Sequence, residues 1–138
     1  MFKVIIEGKE YTYKDKITLV DIVEKLGVEA YAASVNNTIR ELNYYIDDDA
    51  EVRFLDLTDF EAVRIYETSL RYLVIMAIEN LYPNAKIKFN QCVSRSMACT
   101  ISGAGLVDSK FIEIVEKEMR RIVKLDLPIN RYSISKKE

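Results

Sequence analysis

The chain has 138 residues, of which 49% are hydrophobic and 30% charged, with a formal net charge of -2 and no histidine. That is enough apolar material for one compact domain or two small ones, while the longest strongly apolar run, Tyr72 to Ile78, falls far short of the roughly 20 residues a membrane-spanning helix needs. The charge excludes a strongly electrostatic nucleic-acid binder, which needs concentrated Lys and Arg, and Met1-Phe2-Lys3 leads straight into a strand pattern instead of a signal peptide, so the expected location is cytoplasmic.

In chain order, Phe2, Val4 and Ile6 alternate with Lys3, Ile5 and Glu7, and Glu7-Gly8-Lys9 turns the chain into Glu10 to Tyr13. This predicts a hairpin. Thr18 is placed to cap a helix in which Leu19, Ile22, Val23 and Leu26 share a face, Asp21 complements the positive helix N-terminus and Gly27 provides the stop. A strand, Tyr31 to Val35, follows and ends at Asn36-Asn37, where asparagine tolerates positive φ. Leu42 starts a short connection and Glu51 to Leu57 is the last alternating strand of this region. Between them, Asp47-Asp48-Asp49 lacks the glycine and the spacing of a calcium loop and predicts a solvated acidic turn.

The second region starts near Phe60. Leu70, Leu73, Val74, Ala77, Ile78 and Leu81 form an apolar helix stripe that ends at Tyr82-Pro83-Asn84. Ile87 to Val93 and Met97 to Ile101 predict two strands around Ser94-Arg95. A second helix, Ser109 to Lys124, takes Ser109 as its cap and is expected to bury Phe111, Ile112, Val115, Met119, Ile122 and Val123. Its Lys117, Arg120, Arg121 and Lys124 alternate with Glu113, Glu116 and Glu118, the pattern of a solvated face with intrahelical ion pairs. Cys92 and Cys99 have no zinc spacing and no histidine beside them, so reduced, buried cysteine is expected. The expected fold class is α+β, with domains at residues 1–58 and 59–138, the second cut short inside the charged segment Tyr132 to Glu138.

The order hairpin, helix, strand, strand is a β-grasp plan similar to ubiquitin. Through Thr18-Leu19-Val20-Asp21-Ile22, Ala32-Ala33-Ser34-Val35-Asn36, Arg40-Glu41-Leu42 and Ile46 to Val52 it resembles the TGS domain more narrowly. The stretch from Arg64 to Phe89 resembles the opening helix of a threonyl-tRNA synthetase editing domain, in which a His-x-x-x-His pair begins the helix; here the matching positions are Thr68 and Tyr72. Two histidines one turn apart hold a metal or polarise a water, and Thr and Tyr do neither at neutral pH. The family's glycine-rich aromatic strand with its terminal acid corresponds to Asn90 to Thr100, where the glycines and the acid are absent.

The resemblance therefore implies a retained scaffold without catalytic residues, metal or cofactor. The substitutions are polar, which makes Thr68, Tyr72, Gln91 and Arg95 candidate lining for a small ligand, with Arg95 as the charged anchor. The pairing of modules also resembles the N-terminal region of bacterial uridine kinase-like proteins, in which a P-loop nucleoside kinase domain follows. That resemblance implies a regulatory or ligand-binding role, a kinase domain downstream as partner, and a nucleoside or nucleotide as ligand. No P-loop is present: Gly103-Ala104-Gly105 has no lysine-serine pair after it and reads as a flexible link. The alternatives are a tRNA-contacting region of a threonyl-tRNA synthetase-related enzyme and a protein-interaction module.

Overall fold

The computed structural model describes residues 1–94, 96–130 and 132–136, and the chain forms two compact units that divide between Thr68 and Ser69. In the first unit, β1 (Phe2–Ile6) and β2 (Lys9–Tyr13) pair antiparallel with Phe2 opposite Tyr13. The turn residues Glu7 and Gly8 have φ of 49° and 78°, the doubly positive turn whose twist matches that of the flanking strands. A two-residue strand, β3 (Ile17–Thr18), runs into α1 (Leu19–Leu26). Thr18 caps α1 through a reciprocal pair: its hydroxyl accepts from the Asp21 N–H at 3.1 Å and its own N–H donates to the Asp21 carboxylate at 3.2 Å. Gly27 ends the helix at φ 64°, a left-handed position that favours glycine.

β4 (Ala32–Val35) and β5 (Thr38–Arg40) flank the Asn36-Asn37 turn, and β6 (Tyr45–Ile46) pairs back with β3. The last strand, β7 (Ala50–Leu55), lies parallel to β1 with Val4 opposite Ala50 and antiparallel to β4 with Ala33 opposite Phe54. The resulting five-stranded sheet has the order β2-β1-β7-β4-β5, which is the β-grasp arrangement. One face carries Val4, Ala33, Val35 and Val52 against Leu19 and Ile22 of α1. Each fully buried Leu or Ile contributes about 1.5–3 kcal/mol relative to exposure. On the opposite face Ala32 and Leu55 are covered by Ala62. Ala62 belongs to α2 (Phe60–Leu81), the helix within which the two units divide.

The second unit contains the rest of α2, the hairpin of β8 (Lys86–Val93) and β9 (Ser96–Ser102), and α3 (Ser109–Leu125). Ala77, Ile78, Phe111, Val115 and Ile122 form its core, with Ile87 and Ile101 packed against it from the hairpin. Tyr82 stacks on Phe111 at 5.2 Å between ring centroids. The α+β class holds for the whole chain.

Several details differ from the sequence expectation. The cap of α3 is Asp108, whose carboxylate accepts from the Phe111 N–H at 2.9 Å, and Ser109 is the first helical residue. The α3 contact stripe is narrower than its run of apolar residues: Phe111, Val115 and Ile122 are buried, but Ile112 and Val123 are 58% and 63% exposed. On α2, Leu70 is likewise exposed, while Ala77 and Ile78 are buried. The expected burial of Cys92 and Cys99 is overturned, since both are free and exposed. They share the face of the hairpin that carries Ile87 and Ile101, and only that base end reaches the core. Gly103, expected in a flexible link, packs tightly: at φ 79° a Cβ there would lie 2.7 Å from the Asn84 carbonyl oxygen.

Candidate functional site

Thr68 and Tyr72 lie four residues apart in α2, on either side of the division between the units. The Thr68 hydroxyl donates to the Arg64 carbonyl at 2.8 Å, so its proton is already engaged with the preceding turn. Tyr72 is 57% exposed. It lines an open pocket of about 200 Å³ within the second unit, together with Ser69, Leu73, Met76, Ile122 and Asp126. The walls come from α2 and from the end of α3, where Asp126 adopts φ 45° and its N–H donates to the Val123 carbonyl.

Gln91 is exposed on β8, opposite Ala98 and directly after a register irregularity that begins at Phe89. It is not part of the Tyr72 pocket wall. Arg95, the proposed charged anchor, lies outside the described residues. Of the four candidates the structure thus places one, Tyr72, in a concavity, and it adds Ser69 and Asp126 as polar neighbours. Neither carried a sequence signal, because Ser69 belongs to no motif and Asp126 enters the wall only through the left-handed turn that ends α3.

Ser69, Tyr72 and Asp126 offer hydrogen-bonding groups to the pocket. The chain has no histidine, and no cluster of three or more acidic or cysteine side chains among the described residues is arranged to hold a metal. Thr100, which stands at the acidic position of the editing-domain pattern, accepts from the Asn90 amide at 2.6 Å across the hairpin. A hydroxyl held in a neutral hydrogen bond supplies neither a general base nor a metal ligand.

The intrahelical ion pairs expected on the solvated face of α3 are present for its two arginines. Arg120 forms a two-nitrogen contact with Glu116 at 2.6 and 3.1 Å, and Arg121 contacts Glu118 at 2.7 and 2.8 Å. Asn80 of α2 donates to the same Glu118 carboxylate at 3.1 Å. These donors hold the Glu118 carboxyl down at about 2, with the Arg121 hydrogen bond as the main cause and Asn80 as the next. Among the described residues, the lysines of the β8–β9 hairpin make no ion pair that would neutralise them in this way. The stretch from Asn80 to Val107 contains no Asp or Glu, and within it Lys86 and Lys88 are exposed on β8.

An α+β chain with a β-grasp unit and a unit of two helices and a hairpin is what the fold defines. Over 136 residues it is 31% identical to the threonine–tRNA ligase of Thermotoga maritima and 27% identical to that of Syntrophomonas wolfei, in both cases across 96% of this chain and 21% of the relative. The threonine–tRNA ligase of Clostridium kluyveri is 25% identical over 135 residues. The chain spans about a fifth of the length of these curated relatives. No protein-family profile matches it. Among the described residues, no helix is long and apolar enough to cross a membrane.

Proposed function

We propose that the chain is a non-catalytic, tRNA-contacting region of a threonyl-tRNA synthetase-related protein. One observation carries this reading: the similarity to threonine–tRNA ligases runs through 96% of the chain and so includes both units. The absence of histidine separates contact from chemistry, because no imidazole stands at Thr68 or Tyr72 to hold a metal or move a proton. Lys86 and Lys88 on the acid-free hairpin are the cations that meet phosphate in this reading.

A second reading, an N-terminal regulatory region of a uridine kinase-like protein, is favoured by that same loss of the His-x-x-x-His pair. The named relatives support the first reading over it.

One titration separates them. Fluorescence anisotropy with a labelled acceptor-stem RNA hairpin, run beside thermal shifts with uridine and uridine monophosphate, is expected to give RNA binding and no nucleoside-dependent stabilisation, since a ligand that binds only the folded state raises the melting temperature. Stabilisation by the nucleoside without RNA binding reverses the order of the two readings. Silence in both experiments removes both and leaves a protein-docking module.

A further inference from the structure

A second pocket, of about 370 Å³, lies in the first unit beside the sheet-edge strand β5. Tyr31, Ile39, Arg40, Leu42 and Ile65 are among its walls. Arg40 is half-buried, and its guanidinium sits over the Tyr44 ring with 4.6 Å from Cζ to the ring centroid. Its Nε–H is shut away from solvent and has no hydrogen-bond partner among the described residues. Other basic side chains in the chain contrast with this: Arg53 pairs with Asp59, Arg120 with Glu116 and Arg121 with Glu118.

A buried donor without an acceptor is uncommon in folded proteins and calls for a physical reason. With its Nε–H unbonded and its plane over a ring face, the guanidinium can offer that donor to a ligand without giving up a hydrogen bond made through it. Its planar fork matches the two oxygens of a carboxylate or a phosphate. The remaining wall has an apolar part, Ile39, Leu42 and Ile65, and a polar part, Tyr31, Asn43 and the acidic Glu41, and the volume suits a small organic molecule whose anionic end turns to Arg40 and away from Glu41.

We propose that the pocket at the β5 edge is a binding site for a small organic oxyanion, with Arg40 donating a forked hydrogen bond to the anion and the ligand body resting on Ile39, Leu42 and Ile65. The site belongs to the first unit and uses none of the residues of the proposed RNA contact, and either can fail without the other. A carboxylate and a phosphomonoester share the required chemistry, so the source is decided by titration.

The test follows the Arg40 Nε–H cross-peak and the backbone amides of Ile39, Leu42 and Asn43 in 1H–15N spectra of the whole chain, against acetate, inorganic phosphate and uridine monophosphate. At least one of these is expected to give a saturable shift. Arg40→Lys keeps the charge but loses the fork, and it is expected to weaken that binding by about tenfold, the effect of one charge-assisted hydrogen bond. A response to acetate alone identifies a carboxylate, and a stronger response to the phosphorylated probes identifies a phosphate ester. Absence of saturable shifts with all three probes, or equal affinity in Arg40→Lys, overturns the proposal. If that variant does not fold, the unmodified chain's amide shifts decide the matter alone.

Discussion

The reciprocal bonds between Thr18 and Asp21 satisfy two backbone donors at the start of α1, a helix too short to persist without them. Thr18→Ala removes the side-chain half of this cap and is expected to lower the unfolding free energy by about 1 kcal/mol in urea titrations. A substitution with no effect on the midpoint would show that packing of Leu19 and Ile22 holds the helix by itself. Gly103 represents a different kind of constraint. Both its φ of 79° and the 2.7 Å approach of a Cβ to the Asn84 oxygen resist a side chain, and the obstacle is backbone that cannot swing aside. Gly103→Ala is expected to cost about 2 kcal/mol, whereas the same change at Gly105, where the added Cβ meets nothing, costs less. Calorimetry on both variants provides the comparison. These residues also mark the limit of what the sequence disclosed. Thr18, Asp21 and Gly27 announced α1 because caps use local chemistry, but the role of Gly103 depends on a neighbour that only the fold brings close.

At the level of elements, α2 and α3 are joined by Glu118, which accepts from both Asn80 and Arg121. Its carboxyl lies at about 2 in the folded chain against 4.5 for the free group. A depressed value means that the contribution is fully present above the unfolded value and disappears as pH falls from about 4.5 toward 2. Replacing Glu118 by Gln is expected to flatten the acid limb of a stability-against-pH curve in that interval. An unchanged slope would show that the junction holds without the charge. The β8–β9 hairpin offers a simpler check: both thiols are exposed, so both are expected to react with a thiol-specific chromogen in native buffer as quickly as in denaturant. The alternation around Cys99 was legible as a strand, but which side of a strand is covered depends on a second layer that local pattern does not report. Similarly, β3, β5 and β6 have two or three residues each, too few to show a period, and only the Asn36-Asn37 turn signalled that a strand would return there. Ile112 and Val123 were misjudged for a related reason, because the apolar stripe of α3 is wider than the surface it covers.

For the molecule as a whole, an acidic balance of 22 carboxylates against 20 Lys and Arg sets how RNA contact must look. Few phosphates are engaged, so the logarithm of affinity is expected to fall with the logarithm of salt with a slope near -2, and Lys86→Ala or Lys88→Ala each to reduce that slope by about 1 while weakening different RNA sequences alike. A slope that neither substitution moves would place the contact elsewhere. The candidate ligand site was only partly legible at this scale: Tyr72 was named from the resemblance of its helix to the editing domain, while the Arg40 pocket combines a strand edge, a turn and a helix from distant parts of the chain.

The parallel pairing of β1 with β7 has a consequence for how the first unit is made. β1 leaves the ribosome well ahead of its inner neighbour, Ala50 to Val52, which follows more than forty residues later. Until then the Val4 and Ile6 side of the hairpin has no partner, and its open edge is available to any extended chain nearby. The ladder at the sheet centre therefore closes last, by a long loop. A translational pause before Ala50 has emerged would hold the nascent chain in its most adhesive form, and one after Leu55 has emerged would give the sheet time to close.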